Sequence, residues 1–178
     1  MMSDRHLVLV GLMGAGKSTV GRRCAERLGR VFVDVDDLVE AAAGRSVPEI
    51  FATDGEAAFR ERERVALAEA CASPGLLVIA CGGGAMLDPA NRECARAHGC
   101  VVWLTADPAT LAARVGRGAA RERRPLLADG DPEATLDRLA GERADAYAAA
   151  AHARVDTAGR SVDEVASAAL EELSRCAA

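Results

Sequence analysis

Gly11-Leu12-Met13-Gly14-Ala15-Gly16-Lys17-Ser18-Thr19 follows the apolar run Leu7-Val8-Leu9-Val10 and leads into Val20-Gly21-Arg22-Arg23-Cys24-Ala25-Glu26-Arg27-Leu28. The order strand, glycine loop, helix is the context that the pattern G-x-x-x-x-G-K-[ST] requires, because glycines let successive N–H groups turn around a phosphate chain at a helix N-terminus. Gly14, Ala15, Gly16, Lys17, Ser18 and Thr19 are therefore the candidate phosphate cradle. In such a loop the lysine reaches the β- and γ-phosphates and the serine hydroxyl ligates Mg²⁺.

Of the 22 cationic side chains, Lys17 is the only lysine and all the rest are arginine. A compact ammonium can follow a migrating phosphoryl group where a planar guanidinium cannot, so the one lysine falls where the chemistry needs it. With 178 residues, half of them apolar, the chain supports one well-buried core, and a single domain over 1–178 is expected. The net charge of −5 gives no global support for coating a duplex or an anionic membrane, so neither nucleic acid nor membrane is expected as a partner. No apolar run approaches the ~20 residues of a membrane span. The apolar stretch near the N-terminus runs into the glycine loop and is not read as a signal peptide, so the expected compartment is the cytoplasm. The six cysteines (24, 71, 81, 94, 100 and 176) form no C-x-x-C pair and are read as reduced, buried thiols. The three histidines are too scattered to suggest a metal site.

Working outward, Val31-Phe32-Val33-Asp34-Val35-Asp36 reads as a second strand ending in acid, with Asp34 and Asp36 on one face by period two. Helical stretches follow over about 37–43, from the capping-box pattern Ser46-Val47-Pro48-Glu49 through Phe51, and over about 55–72. Leu76-Leu77-Val78-Ile79-Ala80-Cys81 is a continuous apolar run, as in a buried parallel strand, and it ends in Gly82-Gly83-Gly84. Cys100–Leu104 reads as another such strand. Asp88-Pro89 and Asp107-Pro108 open helices. Arg114 to Pro125 is rich in arginine and glycine and reads as a mobile basic flap. A helix over about 132–150, a short strand near 154–156 and a helix over about 162–174 complete the chain. About five strands alternating with helices predict an α/β doubly wound parallel sheet, with ligands outside the carboxyl ends of the strands.

Taken together, these stretches resemble the shikimate kinase family over nearly the whole length. The resemblance rests on G-x-M-G-A-G-K-S-T (11–19), F-x-D-x-D (32–36) and I-F-x-x-x-G-E-x-x-F-R-x-x-E (50–63). It extends to G-G-G (82–84), R-P-L-L (124–127) and R-x-x-x-Y (143–147). It implies a three-layer P-loop kinase fold with a lid at about 114–125 and a substrate-binding helical region at about 37–64. It also implies ATP-dependent, Mg²⁺-assisted phosphorylation of the 3-hydroxyl of shikimate, on the route to aromatic amino acids, by a chain expected to be monomeric.

By the same resemblance, Asp36 orients the substrate hydroxyls and is the candidate base, while Asp34 holds Mg²⁺ through water. Arg60 and Arg143 bind the substrate carboxylate, a task suited to bidentate guanidinium. Glu63, one helical turn beyond Arg60, orients it. Gly82, Gly83 and Gly84 let the backbone approach the substrate closely. Arg124 closes on the transferring phosphoryl group, and Arg117 and Arg160 match adenine-side positions. The chain departs from the family at Asp145-Ala146, where Pro-Leu usually precedes the tyrosine. Two alternatives remain open at this level: a kinase for another small polyol such as gluconate or an aminocyclitol, and a module that binds ATP and a carboxylate without turnover.

Overall fold

The computed structural model describes residues 4–115 and 131–176. Five strands, β1 (His6–Val10), β2 (Val31–Asp34), β3 (Leu77–Ala80), β4 (Gly99–Thr105) and β5 (Ala153–Asp156), form one sheet in the order β2-β3-β1-β4-β5. Every neighbouring pair is parallel. All of β1 is buried, and Leu9 lies between Ala80 of β3 and Val102 of β4. A strand covered on both faces has no reason to alternate polar with apolar, which is why these segments read as continuous runs.

Helices α1 (Lys17–Leu28) and α8 (Val162–Arg175) pack together against the sheet, while α4 (Gly55–Cys71), α5 (Pro89–His98) and α7 (Pro132–Ala150) form a second packed group. The expected three-layer α/β architecture follows. Two smaller helices, α2 (Val35–Ala43) and α3 (Val47–Thr53), connect β2 to α4, and α6 (Pro108–Val115) follows β4. The capping box at α3 is present: Glu49 N–H donates to Ser46 Oγ at 3.4 Å, and Ser46 N–H donates to Glu49 Oε2 at 2.7 Å.

Three expectations need correction. Strand β2 ends at Asp34, whose side chain caps α2 by accepting from Asp36 N–H at 3.1 Å. Asp36 is therefore in the first turn of a helix, and the period-two argument for its direction does not apply. An aspartate offering a local acceptor to the next turn favours a helix start over a longer strand. Arg114 belongs to the last turn of α6 and not to a flap, of which residues 116–125 lie outside the described residues.

The thiols are the third correction, since Cys100 at the start of β4 is joined by a disulfide to Cys176 at the end of α8. Their 75 intervening residues hid a pairing that only the fold brings together. His152 groups with these sulfurs, all within 4.8 Å, but its Nδ1 accepts from Val101 N–H at 3.0 Å and the sulfurs are bonded to each other. The trio is thus a covalent staple and not a cation site. Cys24, Cys71 and Cys81 are buried free thiols, as expected. Burial pushes Cys24 up to about 11 and Cys71 up to about 12, so neither is a nucleophile at neutral pH.

Candidate active site

One cavity of about 750 Å³ opens at the carboxyl ends of β1, β2 and β3. At one end is the glycine loop. Gly16 has φ 93°, which a side chain would strain, and it caps α1, whose first carbonyl bond is Val20 N–H to Gly16 O at 2.8 Å. Gly14, Ala15, Gly16, Lys17, Ser18 and Thr19 all line this end. Lys17 Nζ donates to Gly11 O at 2.9 Å and Leu12 O at 3.0 Å, so the loop's own carbonyls hold the ammonium over the cradle. Ser18 Oγ donates to Asp34 Oδ2 at 2.7 Å. A hydroxyl and a carboxylate side by side at a phosphate loop are hard oxygen donors suited to Mg²⁺, which keeps several waters and takes few protein ligands.

The other end is assembled from distant stretches. Asp36 comes from α2, Arg60 and Glu63 from α4, Gly82–Gly84 from the turn after β3, and Arg143 from α7; all line the cavity. Arg60 Nη1 donates to Glu63 Oε2 at 2.8 Å, with Glu56 Oε1 also 3.1 Å from Arg60 Nη2. Glu63 is fully buried, and its second oxygen, Oε1, accepts no hydrogen bond among the described residues; nor does Asp36 Oδ1. Both orphaned oxygens face Gly82, where a side chain would collide with them. Gly84 lies equally close to Arg60, whose Nη2 would stand 2.5 Å from a Cβ there. The glycines are thus needed for close packing against charged groups as well as for the turn.

Electrostatics follow from this crowding. Burial, then the charges of Asp34 and Glu63, push Asp36 up to about 6. Burial also raises Glu63, with Arg60 pulling part of the way back. Phe51 and Phe59, with ring centroids 4.7 Å apart, and Val47 supply apolar wall. Arg160 reaches the cavity and is anchored on Asp156 O at 3.1 Å and Glu164 O at 3.0 Å. Arg117 and Arg124 lie outside the described residues.

Two site residues had escaped the sequence reading. Arg114 donates to Gly14 O at 3.2 Å and to Thr157 Oγ1 and O at 2.8 and 2.9 Å, tying the cradle to the loop after β5. Thr157 is buried and in turn donates to Thr105 O at 3.0 Å. Asp107-Pro108 marks where that helix opens, but nothing local marks that it runs on to Arg114 or that Arg114 meets Thr157.

A parallel sheet with a phosphate loop at one end of the cavity and a carboxylate with two arginines at the other defines a P-loop kinase of small molecules. The chain belongs to the shikimate kinase family: the family model "Shikimate kinase" matches residues 13–174. A shikimate kinase of Symbiobacterium thermophilum is 52% identical over 168 residues, covering 94% of this chain and 95% of that one. The structure of a shikimate kinase from Acinetobacter baumannii in complex with shikimate superposes with a TM-score of 0.89 at 39% identity, over 94% of this chain and 91% of that one. A gluconokinase from Sinorhizobium meliloti shares the fold, with a TM-score of 0.63 at 22% identity over 99% and 95% of the two chains.

Proposed function

We infer that this chain transfers the γ-phosphoryl group of ATP to the 3-hydroxyl of shikimate, giving 3-phosphoshikimate. The observation that carries this is the convergence of Asp36, Arg60, Arg143 and the Gly82–Gly84 turn at the cavity end away from the phosphate loop. A hydroxyl-orienting carboxylate with two guanidinium groups suits a polyol acid, and a neutral polyol would leave both arginines unmatched.

The cradle N–H groups and Lys17 would hold the triphosphate. Ser18 directly and Asp34 through water would hold Mg²⁺, which when bound neutralises charge on phosphate oxygens. Arg60, braced by Glu63, and Arg143 would fix the substrate carboxylate and so aim the ring. Asp36 would accept the proton of the attacking hydroxyl; a carboxylate near 6 is still ionised at neutral pH and is a stronger base than an exposed one. Arg124 is assigned to the phosphoryl group in transfer, and Arg117 and Arg160 to the adenine side. We place the chain in the cytoplasm as a monomer, acting on small molecules and on neither nucleic acid nor membrane, in keeping with its net charge of −5. Among the described residues no helix is long and apolar enough to cross a membrane.

Release of ADP from MgATP, followed with shikimate, with gluconate and with neither, tests the reading. Rapid turnover with shikimate alone is expected. Turnover with gluconate and none with shikimate would overturn it, and binding of both ligands without ADP release would leave a non-catalytic module.

A further inference from the structure

The two halves of α8 are held in place by different means. Arg23 of α1 donates to Asp163 Oδ1 at 2.6 Å and Arg27 to Ser167 Oγ at 2.9 Å, while Ser161 and Glu164 close a capping box, so the first half is anchored by side chains. Toward the other end, Ser174 donates to Leu170 O and Arg175 to Glu172, which spends those side chains within α8 itself. Past the buried Leu173, the helix end is tied to the sheet by the bond from Cys176 to Cys100.

That bond is placed for exchange. Cys100 is fully buried but Cys176 only partly so, and a small thiol in solution therefore meets one sulfur before the other. A ring nitrogen of His152 lies within 4.8 Å of both sulfurs, and just before it Arg96 donates to Ala150 O at 3.0 Å and Ala151 O at 3.1 Å. Burial, then the charges of Arg96 and Arg5, hold His152 below the ordinary histidine range, and the same positive field favours a thiolate over a thiol. The nearby Glu172 carboxylate is paired with Arg175. The reduced state is provided for as well, because Cys100 Sγ stands 3.6 Å from Glu172 O, to which a thiol can donate. In a cytoplasm, where thiol pools keep cysteines reduced, disulfides are as a rule transient or redox-sensing.

We propose that Cys100 and Cys176 are a reversible redox clasp, a site of exchange with low-molecular-weight thiols and disulfides that fastens and releases the C-terminal end of α8. To close it, the Cys176 thiolate attacks one sulfur of a small disulfide RSSR, forming Cys176–S–S–R and expelling RS⁻. The Cys100 thiolate then attacks Cys176 Sγ, the bond to SR breaks and a second RS⁻ leaves. The two cysteines lose two electrons and two protons, and RSSR becomes two RSH. Opening runs the same steps backward, beginning at the accessible Cys176 sulfur. Because Arg23 and Arg27 keep the first half of α8, with the cavity-lining Val162 and Val165, on α1, opening the clasp shortens the life of the fold and leaves turnover alone. The inference goes beyond the functional reading and rests only on the cytoplasmic placement made with it.

The test holds the intact chain, without denaturant, in glutathione buffers of varied reduced-to-oxidised ratio. After acid quenching and unfolding, maleimide labelling lets mass spectrometry count the free thiols. The count should pass from the four free cysteines of the oxidised form to all six in the reduced buffer, and return on re-oxidation, with Cys100 and Cys176 as the sites that change. Reduction should lower the melting temperature by about 5–15 °C, and Cys176→Ser should melt at the reduced value in either buffer. Hydrogen exchange should quicken about tenfold or more over residues 173–175 and less than about twofold over 162–167. A bond that yields only after unfolding, one that does not re-form, or equal quickening along α8 would overturn the proposal. Should Cys176→Ser fail to fold, the thiol counts and exchange rates of the wild-type chain decide alone. A chain that releases no ADP with shikimate would sink the functional reading instead and leave the thiol counts untouched, so the two failures are distinct.

Discussion

The two ends of the cavity satisfy their polar groups in opposite ways. At the phosphate end, Lys17 rests on Gly11 and Leu12 carbonyls and Ser18 on Asp34, so groups meant for a ligand have partners already. At the acceptor end, Asp36 Oδ1 and Glu63 Oε1 are buried and accept nothing among the described residues. Each such oxygen costs about 1–3 kcal/mol. The phosphate end can be preformed cheaply because backbone supplies its ligands. The acceptor end concentrates like charge under a glycine turn, and it is there that stability gives way to function.

The largest effect should come from the phosphate end. Apart from the N-terminal amine, Lys17 is the only primary amine in the chain, so an amine-selective acylating reagent has two targets, which mass spectrometry can count. Activity should fall to nothing in step with Lys17 acylation, and saturating MgATP should protect it far better than shikimate does. Full modification with undiminished turnover would remove the contrast between the two ends.

Next in size, Asp36→Asn should lower kcat by ~10²- to 10⁴-fold while leaving ATP affinity nearly intact. A variant keeping more than half of wild-type kcat would show that the orphaned carboxylate is not the base.

The smallest effect sharpens the comparison most. Asp36 is held at about 6 against an ordinary 3.8, so its proton is bound more tightly in the folded than in the unfolded chain. The ligand-free protein should therefore lose stability as pH rises from about 4 to about 6, by about 3 kcal/mol, and nothing further from this group above that. Thermal denaturation should show Asp36→Asn melting higher than wild type at pH 7.5, by about 6–12 °C, with the gain absent at pH 4. In the active enzyme, kcat/KM for shikimate should fall below about pH 6 as Asp36 takes up its proton. An Asn variant less stable than wild type at pH 7.5 would mean that the carboxylate is satisfied after all.

The same contrast governed what could be read in advance. The cradle is nine consecutive residues between a strand and a helix, and every atom of its chemistry is local, so residues 11–19 were legible at once. The buried strands were legible because parallel pairing erases alternation. Asp36, Arg60, Gly82 and Arg143 could be nominated through family resemblance, yet their meeting depends on a sheet order that sends β3 beside β1. Asp36 was placed on a strand in error, although it lines the same cavity as Asp34, because one cap, with Asp34 accepting from Asp36 N–H, ended the strand two residues early. Arg114, Thr157 and the pairing of Cys100 with Cys176 are long-range contacts without a local pattern, and no sequence period announces them.

The staple between Cys100 and Cys176 changes what the polypeptide is as a connected object. Everything from the second residue of β4 to the end of α8 is a closed loop. A protease that cuts once anywhere between the two cysteines opens the ring without releasing a fragment. The nicked protein keeps α7 and α8 tethered to the sheet, remains one molecule by mass, and falls into two pieces only when a reductant arrives.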